Sequence, residues 1–286
     1  MVRFSLILAF LVGVIWAKPV VSASILPTAF FVEQIGASSV EVNTIVQEFA
    51  DPHSFEPRAS DMKKLENSDL FFAVGIEYED VWLPKFSKAF PNLKVIKTQG
   101  KTPKYDKITH HDHHEHDDHK HEEHEHEFDT HIWLDPIMVK EQSKIIANAL
   151  SQKYPQNSEL YSQNLAKFDQ QIDKLDIYIK ESLKGLENRK FMVFHPSWGY
   201  FAKRYNLTQI AIESGGKEPK PAALAKLIKM AKSENIKVIF ISPEFSQKSA
   251  KLIAEQTGAK LVEINHLSKN WLENMYTIAD IFKSSL

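Results

Sequence analysis

From Tyr161 to Leu183 the chain places an apolar residue every three or four positions: Tyr161, Leu165, Phe168, Ile172, Leu175, Ile179 and Leu183. The pattern stops only at Gly185. That spacing is one stripe of an α-helix. The helix expected around it, about thirty residues, is a rod of roughly 45 Å, more than twice the ordinary helix length. A stripe that long must be covered, either by a second copy in a coiled coil or by two domains that the rod joins. Strand and helix patterns alternate on both sides of it, which favours a rigid spine between two α/β units.

On the N-terminal side, Val20 to Ile25 reads as a short buried strand, and Phe30 to Ile35 has helical spacing that ends at Gly36. Ser39 to Val46 alternates apolar and polar residues as a strand does. Ser60 and Asp61 cap a short helix through Leu65, and Leu70 to Val74 and Leu93 to Ile96 are continuous apolar strands. Asp135 and Pro136 form a helix start, as N-cap and first helical residue. Beyond the rod, strands are predicted at 191–194, 209–212, 238–242 and 260–264, with helices at 222–232 and 247–257. The fold expected is two doubly wound, Rossmann-like α/β lobes with their parallel sheets covered on both faces. The predicted organisation is an export signal at 1–17, a first lobe at 18–153, the spine at 154–186 and a second lobe at 187–286.

The leader is read from Arg3, the apolar run Leu6 to Trp16 and the small residue Ala17. Its apolar stretch is about eleven residues, short of the roughly twenty that a spanning helix needs. The expectation is an exported, periplasmic protein. The chain has 286 residues and no cysteine, which excludes disulfides, a Cys-ligated zinc site and a lipid-modified N-terminal cysteine. A formal charge of −2 with well-mixed signs gives no footprint for nucleic acid or an anionic membrane.

Nine of the thirteen histidines fall between 110 and 126: His110, His111, His113, His114, His116, His119, His121, His124 and His126. They alternate with Asp and Glu and are interrupted once by a basic residue, Lys120. Such a tract cannot bury a core, so it is expected to be a disordered loop that collects transition-metal ions weakly. The other four behave differently. His195 and His266 directly follow predicted strands, His53 lies in a Pro-bounded loop after another, and His131 precedes a helix. Ligands in open α/β sheets bind beyond the carboxyl ends of strands. Three or four of these imidazoles, two or more from each lobe, are therefore expected to converge in the cleft between the lobes, a donor set suited to zinc.

Three segments carry a resemblance. Asp51-Pro52-His53-Ser54-Phe55-Glu56-Pro57 with Ser60-Asp61, His131-Ile132-Trp133-Leu134-Asp135-Pro136, and Phe194-His195-Pro196-Ser197-Trp198-Gly199-Tyr200-Phe201 resemble the zinc-binding solute receptors of metal ABC importers, the cluster A-I or ZnuA-like family. The resemblance spans the whole mature chain. It implies a two-lobed monomeric receptor that holds one Zn²⁺ between its lobes and delivers it to an ABC transporter membrane permease. It places three ligands on His53, His131 and His195. Manganese-binding relatives typically carry glutamate at the position of His195, and three imidazoles suit zinc better. Relatives commonly have Asp-Pro where this chain has Asn265-His266, so Asn265, His266 or water completes the site. Without a carboxylate ligand, zinc on three neutral imidazoles stays dicationic unless nearby carboxylates compensate.

Three other readings compete: a manganese or iron receptor of the same fold, a zinc-dependent hydrolase, and a metal-dependent adhesin or storage protein. Against the hydrolase, the chain has no H-E-x-x-H motif. Its candidate bases, Glu213 and Glu244, sit near strand ends with no further support as general bases.

Overall fold

The computed structural model describes residues 17–100, 129–213 and 216–286. The expected leader, except Ala17, and the whole 110–126 tract lie outside the described residues.

The first half builds β1 (Val20–Ala23), α1 (Leu26–Gly36), β2 (Glu41–Thr44), α2 (Ala59–Glu66), β3 (Leu70–Ala73), α3 (Glu77–Ala89) and β4 (Lys94–Lys97). Its sheet runs β2-β1-β3-β4 and every pairing is parallel, with Ser22 opposite Asn43 on one side and Phe71 on the other. All four residues of β3 are buried, whereas β2 and β4 are partly open, as befits the edges. Then come α4 (Pro136–Lys153) and the spine α5 (Ser158–Ser182). The second half repeats the plan: β5 (Lys190–Val193), α6 (Gly199–Arg204), β6 (Thr208–Ala211), α7 (Pro221–Ser233), β7 (Val238–Ile241), α8 (Lys248–Thr257), β8 (Lys260–Glu263) and α9 (Trp271–Ser285). Its order, β6-β5-β7-β8, is the same and again all parallel. Because the crossovers place helices on the faces, the carboxyl ends of the strands stay clear for a site.

The spine is 25 residues long, shorter than the sequence pattern implied, because Pro155–Asn157 forms a separate 3-10 turn before it. Tyr161, Phe168, Ile172, Leu175 and Ile179 are all buried within this one chain. The apolar stripe is therefore used intramolecularly, against α1, α4 and α9. Phe168 packs against Phe31 of the first half and Trp271 of the second, with ring centroids 6.0 and 6.3 Å away. One continuous apolar core thus runs from Val21 through Ile172 to Phe282. The halves share an interior, so wide hinge opening would break that interior, and small displacements are the cheap ones.

Polar struts reinforce the join. Asp135 caps α4 by accepting from the Ile137 and Met138 amides at 2.9 and 3.3 Å, and it also pairs with Arg204 of α6. Tyr205 donates to Asp176 of the spine at 3.0 Å. Trp133 Nε1–H donates to the His266 carbonyl, and Trp271 Nε1–H to the Trp133 carbonyl, both at 2.7 Å.

Candidate metal centre

Three imidazoles meet at the cleft. His53 stands in the loop after β2, where its amide donates to Asp51 Oδ1 at 2.9 Å and Ser54 Oγ donates to Asp51 Oδ2 at 2.6 Å. His131 opens the 3-10 turn Ile132–Leu134 that leads into α4. His195 follows β5, beyond Phe194, whose amide bonds the Phe240 carbonyl and prolongs the ladder. The Nε2 atoms form a nearly equilateral triangle with edges of 3.0 Å (His53–His195), 3.1 Å (His131–His195) and 3.2 Å (His53–His131). A tetrahedral zinc with bonds of about 2.0–2.1 Å separates its nitrogens by about 3.3 Å. The triangle therefore has the size of three corners of such a site.

The outer nitrogens explain why those lone pairs face one another. His53 Nδ1 lies 2.5 Å from Glu77 Oε2, His131 Nδ1 2.8 Å from Asp129 Oδ1, and His195 Nδ1 3.0 Å from Glu213 Oε1. An ionised carboxylate only accepts, so each pairing selects the tautomer with its proton on Nδ1 and its lone pair on Nε2. Three converging acceptors have no hydrogen bond to exchange; they suit a cation at their focus. The same carboxylates supply three negative charges around it, which meets the compensation that a dication on neutral ligands requires. His53, His131 and His195 are the group of three ligand-type side chains that the described residues bring within 4.8 Å of one another.

Local sequence builds these pairings. Glu77 is the first residue of α3, and Glu213 lies beyond β6, its amide donating to the Phe194 carbonyl at 3.1 Å. Asp129 accepts both from the His131 amide at 2.9 Å and from its ring. A Cβ on Gly199 would stand 2.4 Å from Asp129 Oδ2, so only glycine admits this carboxylate beside α6. Phe245, in the loop after β7, stacks on His195 with ring centroids 4.4 Å apart. Trp133 lies 5.1 Å from His131, whereas Trp198 packs on Phe201 and Phe282 instead.

The two candidates for a fourth ligand separate. Asn265 Oδ1 accepts the Leu267 amide at 2.8 Å, which commits the side chain to its own turn. His266 is buried, its ring centroid 6.1 Å from His131 and 6.2 Å from His195. Burial, with His195 and His53 nearby, pushes its pKa well below the usual histidine value, so it is neutral. Glu213 is engaged on His195, and Glu244 lies in the half-buried loop after β7 with its pKa raised by burial. Sequence reasoning missed Glu77 and Asp129. Asp129 carried a signal, standing two residues before a candidate ligand, but α3 and its first residue were not recognised at all.

The chain matches, over residues 21–285, the family model described as ZnuA, zinc-uptake complex component A, periplasmic. It is 32% identical over 265 residues to the high-affinity zinc uptake system protein ZnuA of Bacillus subtilis, covering 91% of this chain and 83% of that protein. To the zinc-binding protein AdcA of Streptococcus pyogenes it is 30% identical over 252 residues, 84% of this chain, and it spans only 49% of that longer relative. A crystal structure of ZnuA superposes with a TM-score of 0.85 at 33% identity, covering 94% of this chain and 99% of that one. A zinc-bound ZnuA deletion mutant gives the same TM-score and identity, covering 94% and 98%. With the family model spanning both sheets and the spine, the chain belongs to the ZnuA family, the periplasmic component A of zinc-uptake complexes.

Proposed function

We propose that this protein is a receptor that captures Zn²⁺ in the periplasm on His53, His131 and His195 and passes it to the membrane permease of an ABC importer. The observation that carries this reading is the Nε2 triangle with a carboxylate behind every ring. Zinc is the cargo, held without chemical change. Each ligand comes from a different loop, two from the first half and one from the second, so a small separation of the lobes dismantles the site and frees the ion. The protein works as a monomer, its spine stripe being spent on its own lobes. The leader at 1–17 exports it, and the histidines of 110–126 hold further ions weakly and feed the cleft.

Manganese and iron(II) are disfavoured as cargo because all three converging donors are nitrogen, and harder ions prefer oxygen. Hydrolysis is disfavoured because, among the described residues, the carboxylates nearest the focus are engaged on histidine Nδ1 atoms rather than positioned as a general base. Equilibrium dialysis against a competing chelator tests the reading. The protein should retain one tightly held zinc, and His131→Ala should release it while the circular dichroism stays native. Tight zinc retained by His131→Ala would place the site elsewhere.

A further inference from the structure

Three corners of a tetrahedron leave one to fill, and the groups around the focus are mostly committed. Glu77, Asp129 and Glu213 each stand behind a ligand ring, and Asn265 is held in its turn. His266 differs. It is 1% exposed, and neither ring nitrogen has a hydrogen-bond partner among the described residues. A buried imidazole with both nitrogens unsatisfied is costly and calls for an explanation, a bound ion being one of the few that fit a pair of ring nitrogens beside three others.

Its surroundings point to which partner. The three ligand rings stand 4.6, 5.0 and 5.0 Å from one another, and His266 lies only a little further out, at 6.1 and 6.2 Å from two of them. Phe245 lies nearly parallel to His266, at 14° and 5.9 Å, while also stacking on His195. One aromatic ring therefore flanks both imidazoles. The His266 carbonyl is anchored by Trp133 Nε1, so the side chain turns about a fixed backbone.

We propose that His266 is the fourth zinc ligand, turning inward on metal binding to close a four-imidazole site. This deepens the three-histidine reading and rests on it. A closed shell of four nitrogens leaves no metal-bound water, the species that zinc hydrolases activate, and so separates a carrier from a catalyst. It also puts two ligands on each half of the molecule: His53 and His131 on the first, His195 and His266 on the second. Lobe separation then removes two donors at once.

The test uses the whole protein loaded with an NMR-active cadmium isotope in place of zinc, with isotope-labelled histidine nitrogen. Four imidazoles coupled to the metal, His266 among them, are expected. Three coupled rings without His266 would overturn this proposal and leave the three-histidine reading standing. No coupling at His53, His131 and His195 would overturn both. His266→Phe, which keeps the stack on Phe245, should weaken zinc binding by at least about tenfold, the lower end of what even outer-shell changes cost. With cobalt(II) as probe, its visible spectrum should move from four nitrogens to three plus oxygen. An unchanged affinity and spectrum in the folded variant would make His266 a packing residue only.

Discussion

Replacing Asp129 with Asn isolates the charge behind one proposed ligand, His131. The side-chain oxygen can still accept from the His131 amide and ring, at present 2.9 and 2.8 Å away, so geometry is kept while a negative charge is lost. A carboxylate acting through one imidazole stands about 6–7 Å from the ion, and at an effective dielectric of about 20 it attracts a dication by about 5 kcal/mol. That figure is a ceiling. The cleft is partly wet at His53, whose side chain is 14% exposed, and two carboxylates remain. Outer-shell replacements at zinc sites cost about 10- to 100-fold in affinity, or about 1.4–2.7 kcal/mol, and the loss should fall in that range. A chelator-competition titration reads it directly. Thermal unfolding at saturating zinc should show the same loss of ligand stabilisation, with metal-free stability unchanged or raised because a buried charge has gone. Asp129→Asn that folds and binds zinc within twofold of the wild type would refute the idea that these carboxylates tune the metal.

Removing Arg204 leaves Asp135, 2% exposed, without its cation, and Arg204→Ala should cost roughly 3 kcal/mol in urea denaturation; an unmoved midpoint would show the strut to be idle. Glu79 accepts from the Val74 and Gly75 amides, but burial raises its pKa to about 7. Its folded pKa lies above the unfolded one, so its contribution is present below about pH 4.5 and is lost as the pH rises through about 7; Glu79→Gln should flatten that decline, worth up to about 3 kcal/mol, and an unchanged pH–stability curve would reject the assignment. Zinc should perturb tryptophan emission through Trp133 rather than Trp198, so Trp133→Phe should abolish the response and Trp198→Phe should keep it. A response surviving Trp133→Phe would mean that the ion binds elsewhere.

Much of the molecule is legible in its periodicities. The stripe from Tyr161 to Leu183 announces the spine, and the apolar runs at Leu70 and Val238 are interior strands because parallel sheets bury both faces. Four isolated histidines, two directly after strands and two in loops, point to the proposed site because ligands in this kind of fold bind beyond the carboxyl ends of the strands. Helix α3 is hidden in the sequence: Pro84 sits inside it, and its acidic first turn, Glu77, Glu79 and Asp80, reads as solvent-facing when Glu77 is bonded to His53. The sequence places Glu213 near a strand end, but its bond to His195 depends on the pairing of β5 with β6, which no local pattern encodes. Asn265 and His266 were equal candidates on the page of letters. The Leu267 amide that engages Asn265 distinguishes them, and such a turn is visible only in three dimensions.

A competitive zinc titration of protein lacking residues 110–126, with manganese as challenger, reaches the central claim most directly. One tightly bound zinc that manganese does not displace is expected, since the three histidines of the Nε2 triangle stand outside the His/acidic tract in sequence. Loss of all tight binding, or ready displacement by manganese, would contradict a nitrogen-lined zinc site in the cleft.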